Sequence, residues 1–462
     1  MLLEKLKNIV GEKGWITDPA ALKPFLSEWR DSYHGQTAIM LMPRSTEEVS
    51  AVVRACVAVG TAIVPQGGNT GLCGGAMPDA SGKQVLLSLS RMNRIRALSP
   101  SDYSIVAEAG CILADVQAAA AGIDRLFPLS LAAEGSCQIG GNLSTNAGGT
   151  NVLRYGTARE QVLGLEVVLA NGDIWDGLRT LRKDNCGYDI KQLFIGAEGT
   201  LGIITAASLR LFPCPENLQT ALIAVADAQA AVDLFALLRV RLSDRMQAFE
   251  LISDRAMRYV LKHIGDTRCP FSDSSPWYVL LEFSAGAAQQ TLEDELVPVL
   301  ESGLAHDIVL AKNSREQQQM WRLRHSISEA QKREGASLKH DVSVPVGEVG
   351  HFIGEAETAV QRSFPGARVV AFGHVGDGNV HFNVSQPKDD SAGAFLERRD
   401  AMASIVYDVV ERFGGSISAE HGIGTLKRSA LIQYRGQTEV AVMRAIKAAL
   451  DPDNLMNPGK VL

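Results

Sequence analysis

No stretch of this 462-residue chain approaches the roughly 20 consecutive apolar residues that a membrane-spanning helix requires. Even its most apolar segment, residues 221–240, is interrupted by Asp227 and Asp233. The opening MLLEKLKNIVGEKGW is charged from Glu4 onward and has no uninterrupted apolar core, which argues against a secretory signal. Lysine and arginine form no block and the formal net charge is −7, whereas binding a phosphate backbone needs concentrated positive charge; a nucleic-acid partner is not expected. The seven cysteines, at 56, 73, 111, 137, 186, 214 and 269, are odd in number and never form C-x-x-C, so neither a disulfide framework nor a zinc ribbon is suggested. There is no internal repeat and no low-complexity tract. The expectation is a soluble, cytoplasmic protein with reduced thiols, and a homodimer is the default assembly for such a chain.

Two nucleotide-binding signatures are also missing. No G-x-G-x-x-G occurs, which removes the dinucleotide fingerprint of the Rossmann type. The nearest approach to a P-loop is Gly82-Lys83, but Gln84 follows where Ser or Thr should bind magnesium, and Met77 stands where the first glycine belongs. What is present instead is glycine in two concentrated segments. PQGGNTGLCGGAMPD, residues 65–79, has five glycines in the nine positions from Gly67 to Gly75. A backbone so stripped of side chains can turn its amides inward around an anion such as a pyrophosphate. EGSCQIGGNLSTNAGGTNVLRYG, residues 134–156, repeats that chemistry with Gly140, Gly141, Gly148 and Gly149 among Asn, Ser and Thr. Two such segments suit an extended ligand with phosphates and a polar ring system; the bland alternative is two long irregular loops.

The length exceeds what one hydrophobic core usually serves, so two or three domains are expected. STEEVSAVVRACVAVG has Ser45 and Glu48 at capping-box spacing and stops at Gly60, the marks of both ends of a helix. TAIVP, QVLLSLS and SIVAEAG read as strands, and Asn171-Gly172 between two apolar runs reads as a hairpin. The first 212 or so residues are therefore α+β. Past Phe212-Pro213-Cys214-Pro215 the pattern becomes ALIAVA, AQAAVDLFALL, WYVLLEF and TLEDELVPVLES, strand alternating with helix, which predicts a second, α/β domain with its own sheet. SREQQQMW opens a helix with Ser314 and Gln317 as a capping box and an end near Gly335, with Arg324 and Ser328 on one face. TEVAVMRAIKAAL is a last helix, ending at Asp451-Pro452.

One short stretch invites a metal. In FGHVGDGNVHFNV, residues 372–384, a hairpin on the two-residue loop Asp377-Gly378 puts His374 and His381 directly opposite each other. Opposed residues share a face with side-chain roots ~5 Å apart, which suits two imidazoles on one ion, and alternation turns Asn383 to the same face. The bland alternative is two polar residues on a wet face.

Taken in order, PQGGNTGLCGG, IGGNLSTNAGGTNVLRYG, FIGAEGTLGIIT, GHVGDGNVHFNV, SAEHGIG and NPGK resemble the FAD-linked oxidases of the vanillyl-alcohol oxidase and p-cresol methylhydroxylase type, and within them the D-2-hydroxyacid dehydrogenases. The resemblance covers nearly the whole chain. It implies an FAD-binding α+β domain over 1–212, a substrate and metal-binding cap domain with an antiparallel sheet over 213–410, and a C-terminal segment, 411–462, returning to the FAD domain. It implies FAD contacts from Pro65, Gln66, Gly67, Gly68, Asn69, Thr70, Gly71 and Leu72, from Gly140, Gly141, Asn142, Ser144, Thr145, Asn146 and Gly148, and from Ile203 and Asn457. Asn69 and Thr70 occupy the region where some relatives attach flavin through His, so FAD is expected to bind non-covalently. His374, His381 and Glu420 are similar to ligands of a divalent metal, usually zinc, and His421 to a general base. Arg324, Ser328, Lys339 and Asn383, with His421, match positions that hold substrate.

The residue types agree with these roles. Two imidazoles and a carboxylate with positions left open make a normal catalytic metal set. Such an ion would lower the pKa of a chelated hydroxyl, and His421 could take its proton while hydride leaves for the flavin. Arg324 and Lys339 together suit a dicarboxylate, so D-2-hydroxyglutarate is the expected substrate, with D-lactate or glycolate the alternative. A metal-dependent hydrolase could use the same histidines but leaves both glycine segments without a task. A flavin-binding electron-transfer subunit with no substrate of its own leaves the histidines idle. Quinone, an electron-transfer flavoprotein or another carrier would reoxidise the flavin.

Overall fold

The computed structural model describes residues 2–29, 33–285 and 291–462. The chain divides into two compact units: Met1–Gly149, Tyr155–Cys214 and Glu420–Leu462 form the first, and Thr150–Arg154 with Pro215–Ala419 the second. One crossover falls between Cys214 and Pro215, within the expected break. Residues 411–419, which the sequence assigns to the returning segment, lie in the second unit, as does the five-residue excursion Thr150–Arg154.

In the first unit, helix Thr46–Val57 begins where Ser45 accepts the Glu48 N–H at 3.3 Å. Glu48 answers one residue further out than a capping box requires, on the Arg44 N–H at 2.9 Å. Val49, Val52, Val53 and Cys56 form the helix's fully buried stripe, packed with Ile63, Val85 and Leu87 of a four-stranded sheet. In that sheet Met40–Leu41, Val85–Ser88 and Ile63–Gln66 run parallel. A five-stranded antiparallel sheet follows, ordered Ile95–Ser99, Ser104–Glu108, Ile203–Arg210, Val162–Val168, Ile174–Gly177. Its last two strands are the hairpin expected around Asn171-Gly172, with Gly172 at φ 81°. Burial pushes the Cys56 thiol up to about 12 and Cys111 to about 11, so both behave as apolar core residues.

The second unit is built on a seven-stranded antiparallel sheet, ordered Asp307–Leu310, Leu218–Val225, Trp277–Ser284, Met246–Ser253, Arg368–Gly373, Asn379–Ser385, Ser337–Ser343. Alternation sends Phe249 and Phe382 to one face, where they meet Phe235 and Phe352 of helices Ala228–Leu242 and Val349–Ser363. The other face carries Ile252, Val370 and Phe372, covered by helices Asp254–His263, Ser314–His325 and Ile327–Lys332.

Two local expectations are corrected here. The helix from Ser314 is capped by Asn313, whose side chain accepts the Glu316 N–H at 3.1 Å, so the cap lies one residue earlier than Ser314. It does not run on to Gly335 but breaks at Ser326, which places Arg324 and Ser328 on separate helices and turns Ile327, Ala330 and Gln331 inward. The FGHVGDGNVHFNV hairpin closes on four residues, Val375 to Gly378, and the Asn379 N–H reaches the His374 carbonyl at 3.2 Å. Gly378 ends that loop at φ 84°, a left-handed conformation cheap only for glycine. The residue opposite His381 is consequently Phe372, not His374.

Candidate active site

The two glycine segments meet in the first unit around a cavity of about 870 Å³, its open mouth included. Pro65, Gln66, Gly67, Gly68, Asn69, Thr70, Gly71 and Leu72 all line it, as do Gly140, Gly141, Asn142, Ser144, Thr145, Ile203 and His421. The second segment is not an irregular loop: Ile139–Ser144 is a short helix whose glycines allow close backbone approach. A Cβ on Gly68 would sit 2.1 Å from the Ser136 carbonyl oxygen, so part of the glycine requirement is the packing of one segment against the other.

Chemically the cavity asks for hydrogen-bond donors. Among the described residues, the buried Gln66 Oε1, Gln138 Oε1 and Asn142 Oδ1 have no hydrogen-bond partner, and all three residues line it. The Gln66 orientation is set by its Nε2, which donates to the Phe25 and Ala76 carbonyls at 3.0 Å each. A buried acceptor left unmet costs about 1–3 kcal/mol, which a ligand with ring and exocyclic N–H groups would recover. FAD has such donors, and its pyrophosphate suits the backbone amides of the first glycine segment.

Three expected cofactor residues lie behind this wall. Asn146, at φ 48°, accepts the Arg159 N–H at 2.9 Å. Asn457 donates to the Gly75 and Glu198 carbonyls at 2.9 and 2.7 Å, bracing two lining residues. Gly148 makes room for Glu420: a Cβ there would meet Glu420 Oε1 at 2.4 Å, and that oxygen accepts the Gly149 N–H at 2.6 Å. Glu198, which the sequence reading passed over, accepts the Ile423 and Gly424 N–H groups at 2.7 and 2.8 Å and so fixes the turn after His421. Burial raises its carboxyl against the pull of those amides and of the Lys427 and Lys460 charges.

In the second unit the remaining residues come from the sheet and from helices Ser314–His325 and Ile327–Lys332, which cover the face carrying Phe372. His374 sits diagonally from His381, with ring centroids 5.5 Å apart, and their nitrogens come within 4.8 Å of each other. His374 Nδ1 is 2.6 Å from Glu250 Oε1, and His381 Nδ1 lies 3.4 Å from Asp341 Oδ1. An ionised carboxylate only accepts, so Nδ1 of His374 donates and its Nε2 carries the lone pair a metal needs. Lys339 pairs with Asn383 across the strands, and Asn383 Nδ2 donates to Gln331 Oε1 at 2.8 Å. Arg324 is buried, stacks on Phe372 at 4.9 Å, and gives its Nε to Glu250 Oε2 at 2.7 Å; its two Nη groups remain for a ligand. Ser328 is exposed on the next helix. Burial pushes the Glu250 carboxyl up, but its contacts with His374 and Arg324 outweigh burial and hold it well below the usual range.

Residues 214–461 match the C-terminal domain of the FAD linked oxidases, and residues 37–177 match their FAD binding domain. The chain is an FAD-linked oxidase. Curated relatives include D-2-hydroxyglutarate dehydrogenase of Xanthomonas citri pv. viticola, 40% identical over 96% of this chain and 93% of that one. The mitochondrial enzyme of that name from Arabidopsis thaliana is 39% identical over 99% of this chain and 80% of its own length. Among solved structures, p-cresol methylhydroxylase with substrate bound superposes with a TM-score of 0.80 at 18% identity, covering 100% of this chain and 96% of that one, a likeness of fold. In this FAD-linked oxidase, Glu250, Asp341 and Gln331 join the expected site residues. Asp341 had a signal, one position across from His381; Glu250 had only its place as the single acid in a buried strand.

Proposed function

We propose that this FAD-dependent oxidoreductase oxidises a D-2-hydroxyacid to the 2-oxoacid, with D-2-hydroxyglutarate as substrate and a divalent metal, zinc in the first instance, as a second requirement. The observation that carries this reading is the contact chain Arg324, Glu250, His374, His381, which links a guanidinium suited to a carboxylate with two imidazoles. The names of the relatives at 39–40% identity support the substrate.

In this reading His374, His381 and Glu420 are the metal ligands, and the cavity-lining residues of the two glycine segments, with Ile203, hold FAD. When bound, the ion acidifies the hydroxyl of the hydroxyacid and FAD accepts hydride. The Arg324 Nη fork binds the C1 carboxylate, and Lys339 meets the distal one. Asn383, held by one amide N–H donated to Gln331, adds an amide beside the substrate. His421 takes the hydroxyl proton at a ring nitrogen.

Purified protein loaded with FAD and zinc should lose its visible flavin absorbance when D-2-hydroxyglutarate is added without oxygen. No bleaching with any small D-2-hydroxyacid would refute the assignment.

A further inference from the structure

The mechanism above uses Arg324 and His374 and leaves out the group that joins them. Glu250 lies on strand Met246–Ser253 with its side chain 1% exposed. Each of its two oxygens has one partner: Oε1 meets His374 Nδ1 at 2.6 Å and Oε2 meets Arg324 Nε at 2.7 Å. Burying a carboxylate is costly unless partners replace its water, so its position is set by those two contacts. The same bonds set its partners. Donation from Nδ1 fixes which His374 nitrogen carries the lone pair, and use of Nε leaves Arg324 its terminal fork.

We infer that Glu250 is a positioning residue that holds the His374 tautomer for metal and the Arg324 fork for the substrate carboxylate with one side chain, so that metal binding and substrate binding are coupled through it. The inference rests on the metal and substrate roles proposed above. It makes a specific claim about Glu250→Gln. An amide has one accepting and one donating end, and Arg324 can only donate, so the oxygen turns to Arg324 and the NH2 to His374. Nδ1 must then accept, the ring proton moves to Nε2, and the metal nitrogen is lost while the arginine stays in place. A purely structural role would not separate the two partners in this way.

The test measures zinc binding by chelator-stripped, FAD-loaded protein by titration calorimetry, alongside KM and kcat for D-2-hydroxyglutarate at saturating zinc. Glu250→Gln is expected to weaken zinc by ~10–100-fold, the usual cost of removing a carboxylate behind a histidine ligand, with KM changed less than about threefold. Glu250→Asp keeps the charge, and with it the fold, but is too short to reach both partners. It is expected to lose about tenfold in zinc affinity or in KM. Wild-type zinc affinity in Glu250→Gln with a native flavin spectrum, or both quantities unchanged in Glu250→Asp, overturns the inference while leaving the proposed function standing. A wild-type protein that binds no zinc overturns both.

Discussion

At the residue scale the substrate question turns on Lys339. It stands across from Asn383 in the strand register, one step from the Asp341 and His381 pair. Lys339→Ala is expected to lower kcat/KM for D-2-hydroxyglutarate by ~10–100-fold, the worth of a bond between charged groups, and to leave D-lactate turnover within about threefold. An equal loss with both acids would assign Lys339 to the shared carboxylate and remove the case for a dicarboxylate. Gly148 gives a second test. Its missing Cβ is the space that Glu420 Oε1 fills, so Gly148→Ala should lower zinc affinity while FAD content stays near one per chain. Undiminished zinc affinity would separate Glu420 from the metal. Both residues were singled out in the sequence, Lys339 through the family resemblance and Gly148 through glycine density, but the partner that makes Gly148 necessary lies 272 positions further on, a distance no local pattern spans.

At the element scale, cap and turn chemistry read well and lengths read less well. Ser45 and Gly60 bracket their helix as expected, because both signals act within one turn of chain. The four-residue loop at Val375 to Gly378 and the break at Ser326 were not legible: each is chosen by which side chains must face the sheet, a requirement imposed by strands elsewhere. Just past the broken helix, Glu334 receives Lys262 at 2.6 Å and Arg368 at 2.8 Å, with His263 2.6 Å away. The Lys262 hydrogen bond, reinforced by His263 and Arg368, holds its carboxyl down to about 2 from an ordinary 4.5. A depressed carboxylate stabilises the fold above its ordinary value and loses that contribution as pH falls through the folded one. Glu334→Gln should therefore unfold at a lower temperature than wild type at pH 7, with the gap narrowing below pH 4.5 and closing toward about 2. A gap that stays constant from pH 7 to pH 3 would contradict the assignment.

At the scale of the whole molecule, the residues with proposed roles are drawn from both units. The cavity around the two glycine segments is lined from the first unit, while His374, His381, Arg324, Lys339 and Asn383 belong to the second. Chelator treatment should abolish flavin bleaching by D-2-hydroxyglutarate and leave bound FAD, read from its visible spectrum, unchanged; loss of FAD along with the metal would contradict the proposal that the glycine segments and Ile203 hold FAD without it. The fold class and the two glycine segments that line the cavity could be read from residue order, since turn preferences, alternation and backbone freedom are properties of short segments. Only the folded chain decided that Glu250 serves both Arg324 and His374, which lie 74 and 124 positions away. That choice depends on strand Met246–Ser253 pairing with Arg368–Gly373, and strand order is set by the burial of whole sheet faces, to which each segment contributes only a share.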